Sequence, residues 1–435
     1  MRMKFNKSSQ LLLVSAASLL AAGLVTACGT LTTDFVFVAS SKAAGANLYG
    51  EIDVFEINQE SGFMRQIPTS PFPSGGRNPV AEAVSEDHYN LYVVNQDDNS
   101  IVQFVIGNDG KVYPQNTVNT PGIYPLAEAV NGTNLFVVDL YQPLPICSTA
   151  APCSGSVAAL PITVGTGNPA SDPLGTPVAN GNIPYMPLCL TGYTLNSTTQ
   201  TWNCTGPEPD VIVPTAISVL PSGSFVYVTA YDTTASPNVG YVFAFAAASS
   251  GALTPLNGGA PPYAAGTHPS AVASDSTGTY LYVTDFNHAD ILGYSVAAGA
   301  LTPLTTGASG TNKFATGSQP SAIITDPVYP YLYAVNSLDS TVQAYSMSNG
   351  ALTSLGTYST GLQPVAIGID PSTNHFLYTA NYLGTGVGGT VSGFELSPTD
   401  GTLINSQNSP YNSNAQPTAV AAIPHGGSQS SSSSK

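Results

Sequence analysis

Two short segments recur together along this chain, and no other feature narrows the possible folds as far. The first opens with Pro-x-Ala and appears seven times: Pro79-Val80-Ala81, Pro125-Leu126-Ala127, Pro214-Thr215-Ala216, Pro269-Ser270-Ala271, Pro320-Ser321-Ala322, Pro364-Val365-Ala366 and Pro417-Thr418-Ala419. The second is β-branched and aromatic, and also appears seven times, ending at Ser40, Asn95, Asp139, Ala230, Asp285, Asn336 and Asn381. Residues 268–304 show the whole unit. Four strand-length runs, near Pro269–Ala273, Tyr280–Thr284, Ile291–Val296 and Gly299–Leu304, are broken by Ser, Gly, Asp and Asn turns. Such a pattern predicts a four-stranded antiparallel meander. Most of the motif prolines are about 44 to 55 residues apart, the period of propeller blades.

The ends of the repeat carry the next inference. A second segment at Asp34–Ser40 has no first segment before it, and Pro417–Ile423 has no second segment after it. The C-terminal strand therefore completes blade one. The expected fold is all-β: a seven-bladed β-propeller of four-stranded antiparallel blades over 34–425, closed by its last strand. Closure leaves only short, protected sheet edges.

Residues 1–27 read as a lipoprotein signal peptide. Arg2, Lys4 and Lys7 form a basic start, and Leu11–Val25 an apolar stretch too short for a stable membrane span. The segment ends Leu24-Val25-Thr26-Ala27-Cys28, similar to a lipobox, so Cys28 is the expected lipidation site, with 28–33 as tether. Setting Cys28 aside leaves Cys147, Cys153, Cys189 and Cys204, and an exported compartment permits disulfides. Pairing Cys147 with Cys153 and Cys189 with Cys204 is one of three connectivities. Irregular spacing and the lack of histidine among them argue against zinc, and no metal or cofactor is expected. The expected address is the bacterial cell envelope, outside the cytoplasm, with a membrane reached through the lipid on Cys28 and a monomeric chain.

Beyond the leader, six basic residues face all 25 acidic ones, a formal charge of about −19. That surface repels nucleic acid and anionic headgroups. Blade three departs from the period, because Pro125 and Pro214 are 89 residues apart. With Ser156–Ile162 as its third strand, the excess falls into insertions at about 140–155 and 163–212, which carry the four cysteines and Trp202. Residues 426–435, rich in serine, read as a disordered tail.

In such a meander the residues before each Pro-x-Ala share one rim with the residues that end each second strand. That rim gathers Arg77, His268, Asn95, Asp139, Asp285, Asn287, His288, Asn336 and Asn381, with Gln319, Gln363 and Gln416, and the insertions emerge beside it as a lid. Three positions after the motif proline, five blades carry Val or Ile, but Glu82 and Glu128 stand there in blades two and three. The position should face a neighbouring sheet, where a carboxylate is costly unless paired, protonated or solvated.

The stretches SQPSAIITDPVYPYLYAVNSLDSTVQAYSM (318–347) and QPVAIGIDPSTNHFLYTANY (363–382) resemble the lactonase-type seven-bladed β-propellers. That family includes 6-phosphogluconolactonases and fungal muconate-lactonizing enzymes, and is close to the YVTN-repeat surface proteins. Enzymatic members tend to carry Pro-Arg-His or Pro-His at a first strand and Asn-Glu after a second. Here the corresponding residues are Pro320-Ser321-Ala322, Pro269-Ser270 and Asn336-Ser337, and only Asp285, in VTDF, is similar to the family's Val-x-Asp-Leu. A phosphorylated lactone needs cationic clamps, and only Arg65 and Arg77 remain after the leader.

Two functions follow as expectations. One is a lipid-anchored binding propeller that takes a small molecule, a neutral glycan, a peptide or an envelope protein at its rim. The other is a hydrolase of an uncharged lactone, with Glu82 or Glu128 activating water, His268 relaying protons and Arg77 stabilising the oxyanion.

Overall fold

The computed structural model describes residues 32–41, 48–145, 147, 152–162, 173–206, 211–256, 262–370, 376–384 and 388–424. The leader, Cys28 and the serine-rich tail lie outside them. Seven antiparallel sheets form the blades. In blade five, inner strand Pro269–Ser274 is followed outward by Tyr280–Asp285, Asp290–Ala297 and Ala300–Pro303. The inner strands of successive blades touch all the way round the ring. Gln416–Pro424 is the inner strand of blade one and pairs with Thr32–Ser41, from Asp34↔Pro424 to Ser41↔Gln416. The strand begins at Thr32, two residues ahead of Asp34.

The recurrence of Pro-x-Ala has a geometric cause. In every blade the register slips between the proline and the alanine, so the middle residue bulges out of the ladder. Proline has no N–H to lose at such a site, and a bulge turns the strand end toward the axis. Where the bulged residue has a hydroxyl, it can reach the next blade. Ser321 donates to the carbonyl of Pro364 and Thr418 to that of Pro79, both at 2.8 Å, and Ser270 donates to that of Pro320.

A second set of staples lies deeper. The middle tyrosine of the second strand donates its buried hydroxyl to a hairpin glycine of the following blade: Tyr227 to Gly299, Tyr282 to Gly350 and Tyr333 to Gly401, at 2.9 to 3.2 Å. At the closing seam Tyr378 instead donates to the Asp34 carboxyl at 3.2 Å. Burial, and then the neighbouring Asp370, push Asp34 up to about 8.

Both neighbouring cysteine pairs form disulfides, Cys147–Cys153 and Cys189–Cys204. The described part of the larger insertion does not sit over the rim. Residues 174–187 run back along the third strand of blade three (Ser156–Pro161), with Gly175 bonded to Pro161, Val178 to Ala159, and Met186 and Pro187 paired with Val157 and Ser156. The hairpin Tyr193–Asn196/Thr201–Cys204 follows. Met186, Leu188, Cys189 and Tyr193 share one core with Phe243, Phe245 and Leu253 of blade four. This segment therefore replaces the outer strand of blade three and wedges against blade four. Its apolar residues are buried there, which a polar lid would not provide.

Candidate functional site

The Asn/Asp residues that end the second strands point inward. Asn95, Asp139, Asp285, Asn336 and Asn381 are all 0% exposed. Asp139 accepts from the Gly122 amide at 3.1 Å. Asp285 accepts from the amides of Thr267 and His268, at 3.0 and 3.1 Å, and from His288 Nδ1 at 2.9 Å. Asn95 is bonded to Ser74, Asn336 to Thr316 and Thr341, and Asn381 to Thr379, Thr390 and Ser392. Asn95, Asp139, Asp285 and Asn336 cap the loop that leads into the inner strand of their own blade, and Asn381 reaches the equivalent loop through Ser392, whose hydroxyl accepts from the Gly361 amide at 3.0 Å. Asn287 is exposed and tied through its own amide to Asp285 at 3.3 Å.

One sequence signal marks this arrangement. Gly76, Gly122, Gly266, Gly317 and Gly361 each stand three residues before a motif proline. A Cβ on any of them would fall 2.1 to 2.7 Å from the Asn or Asp that ends the same blade's second strand. Blades one and four have Asn414 and Val211 there, and they end the second strand with Ser40 and Ala230 instead. The cap therefore occurs wherever the glycine leaves room for it. Gly122→Ala should cost about 1–3 kcal/mol by overpacking against Asp139. The added Asp139→Ala should recover part of that loss, and a double-mutant cycle in urea measures the coupling.

Arg77 is engaged within its own blade. Its backbone and its Nε bind Asp98, both at 2.7 Å, and its guanidinium also reaches the Asp97 carbonyl. His268 is half-buried between Tyr231, with ring centroids 4.2 Å apart, and Phe286, at 5.4 Å. Burial lowers its pKa against the opposing pull of Asp285, so the imidazole is neutral at pH 7.

Glu82 and Glu128 lie between inner sheets. The equivalent residues, among them Ile217 and Val420, join the core shared with the preceding blade. Accordingly, Glu82 points at blade one, near the amides of Ala39 and Ala421, and Glu128 at blade two, near that of Ala83. Each residue keeps some accessible surface, but all four carboxyl oxygens are sealed from solvent and close no hydrogen bond of normal geometry. Burial, offset only in part by those amides, raises Glu82 to about 8. Burial and then the charge of Glu82 hold Glu128 well above the ordinary carboxylate value. Glu82 is therefore largely protonated at neutral pH, and Glu128 is pushed in the same direction. As placed, they lack the solvent contact that a general base acting on water needs.

Comparison with known proteins bears on the fold. Residues 299–425 match the family described as lactonase, 7-bladed beta-propeller. A Bacteroides fragilis structure described as a candidate 6-phosphogluconolactonase superposes with a TM-score of 0.63 at 19% identity, covering 90% of this chain and 98% of that one. The periplasmic gluconolactonase of Pseudomonas aeruginosa gives 0.60 at 16% identity, covering 90% and 99%.

The fold is the lactonase-type seven-bladed propeller.

No curated protein matches the sequence. On this propeller the rim carries one feature that residue types alone did not disclose. Asn78, Tyr124, Gln319 and Gln363, each immediately before a motif proline, adopt left-handed backbone, with φ between 51° and 58°. That region is rare for residues with a side chain, and strain of this kind concentrates at working surfaces. At the opposite end of the inner strands a cavity of about 390 Å³ opens between Val84, His88, Ile324, Ile367 and Ala421.

Proposed function

We propose that this protein is an exported, lipid-anchored binding propeller whose rim takes an uncharged ligand without hydrolysing it. One observation carries the reading: each group that hydrolysis would enlist is otherwise engaged. The carboxyl oxygens of Glu82 and Glu128 are sealed from solvent, Arg77 is held by Asp98, and His268 is stacked between two rings. Beside the charged residues Arg77, Asp97, Asp98 and Asp339, the rim presents the rings of Tyr231, His268 and Phe286 and the amides of Gln319 and Gln363. The two disulfides support export, and the leader sequence supports lipidation at Cys28. Thr32–Ser41 runs toward the rim, so a lipid on Cys28 would hold the opposite end against the membrane and turn the rim outward.

The alternative is a lactone hydrolase, favoured by the family match over 299–425. It would use Glu82 or Glu128 on water, with His268 and Arg77 in support. Purified protein starting after Cys28 is tested by proton release on sugar and aromatic lactones. The binding reading expects no turnover above buffer. Turnover that falls by orders of magnitude in Glu82→Gln/Glu128→Gln would replace it with the hydrolase.

A further inference from the structure

The cavity at the end of the inner strands away from the rim has a polar corner that the fold does not require. Its walls are aliphatic and come from four consecutive blades: Ile324 of blade six, Ile367 and Ile369 of blade seven, Val420 of blade one and Val84 of blade two. Val84, Ile324 and Ile367 keep accessible surface. The polar residues that line it, Ser85, Glu86 and His88, come from one turn of blade two. That turn is held from within. The His88 amide donates to the Ser85 carbonyl at 2.8 Å, and the Ser85 hydroxyl donates to Asp87 Oδ1 at 2.6 Å. His88 stands at φ 62°, where the matching turns of blades four and five have Gly223 and Gly278, at 69° and 68°. In both, the glycine amide makes the same bond, to the carbonyls of Leu220 and Asp275. Glycine adopts this backbone without strain. Blade two instead places an imidazole there, and among the described residues neither ring nitrogen has a hydrogen-bond partner.

We propose that this cavity binds a small organic amine, with its aliphatic body against the walls and its ammonium beside Glu86 and His88. The polar corner decides the choice of ligand, because it is built of acceptors. Glu86 is exposed, and one of its oxygens accepts from the Gly132 amide at 2.8 Å. Burial lowers the His88 pKa against the opposing pull of Asp87 and Asp370, so the imidazole is neutral at pH 7 and keeps a lone pair. An ammonium brings three donors and no acceptor. No lysine or arginine lines the cavity, so an anion finds no counter-charge. A polyhydroxylated body would leave its hydroxyls unpaired against the aliphatic walls. The volume, about 390 Å³, suits a small molecule. The site stands apart from the rim, so neither rim binding nor lactone turnover bears on it.

Hexylammonium, 1-hexanol and hexanoate share one body and differ in the head group. Each is titrated calorimetrically at pH 7 into the protein starting after Cys28. Hexylammonium should bind at least about tenfold more tightly than hexanol, and hexanoate more weakly than either. Glu86→Gln keeps an oxygen for the Gly132 amide but removes the charge, and should bring hexylammonium down to the level of the alcohol. The acidic surface draws cations in general, so Glu60→Gln, exposed and outside the cavity, serves as the control and should change nothing. Ile324→Trp should fill the cavity and abolish binding of both the amine and the alcohol. His88→Gly should weaken hexylammonium about fivefold and leave the unfolding midpoint at or above that of the parent, because it restores the residue that the turn favours. No binding of hexylammonium, equal affinity for the three probes, or undiminished affinity in Glu86→Gln would overturn the proposal. So would a folded Ile324→Trp variant that still binds.

Discussion

Replacing Glu82 and Glu128 together by glutamine should raise the thermal unfolding midpoint at pH 8 and leave it nearly unchanged at pH 4. Both carboxyls are protonated more readily in the folded chain than in the unfolded one, where the ordinary value is about 4.3. The folded state then binds more protons, so stability is fully present below the unfolded value and is lost as pH rises toward the folded one. For Glu82 the window runs from about 4.5 to about 8. A shift of that size is on the order of 4 kcal/mol at its upper end. Glutamine keeps the shape and the neutrality but cannot ionise, so the variant escapes the loss. Differential scanning calorimetry from pH 4 to pH 9 measures it. A variant less stable than the parent at pH 8 would mean that the carboxylates are ionised and paired, and would reopen the hydrolytic role.

Removing Gln416–Pro424 should abolish the folded monomer. This strand is not an edge. It pairs with Thr32–Ser41 along blade one, Val420 and Ala422 pack into the core shared with blade seven, and Ala419 and Ile423 into the core shared with blade two. Thr418 also bonds Pro79. Each buried aliphatic is worth about 1.5–3 kcal/mol and each hydrogen bond about 0.5–1.5 kcal/mol net. Their joint loss, with two cores opened, rivals the 5–15 kcal/mol that holds a typical domain. Circular dichroism and gel filtration should find an aggregated or non-cooperative chain. A circular permutant that places Gln416–Pro424 before Thr32 through a short linker should fold. If the truncated chain instead melts cooperatively as a monomer, closure is not what holds the ring.

Blade number and closure by the last strand were legible in the residues because each depends on pattern or on order along the chain, whereas the cysteines allowed three connectivities and the structure selected Cys147–Cys153 and Cys189–Cys204. A strand that lacks its partner at one end and finds it at the other can be counted without coordinates. The glycine three residues before the motif proline was equally legible at Gly76, Gly122, Gly266, Gly317 and Gly361. It marks Asn95, Asp139, Asp285, Asn336 and Asn381 as caps of the loops they face. Only the tertiary structure decided where the large insertion goes. Its apolar residues, Met186, Leu188 and Tyr193, find a core on the outer strands of blades three and four, and no local rule names that partner. The same holds for the rim. Whether a polar side chain there is free depends on amides contributed by loops about twenty residues away and by neighbouring blades. The sequence by itself thus determined the propeller and its closure, which follow from local period and chain order. Assembly of the ring decided which groups stay available to a ligand: it turned Asp139 and Asp285 inward, sealed Glu82 and Glu128 between sheets, and set His88 beside a cavity walled in part by three other blades.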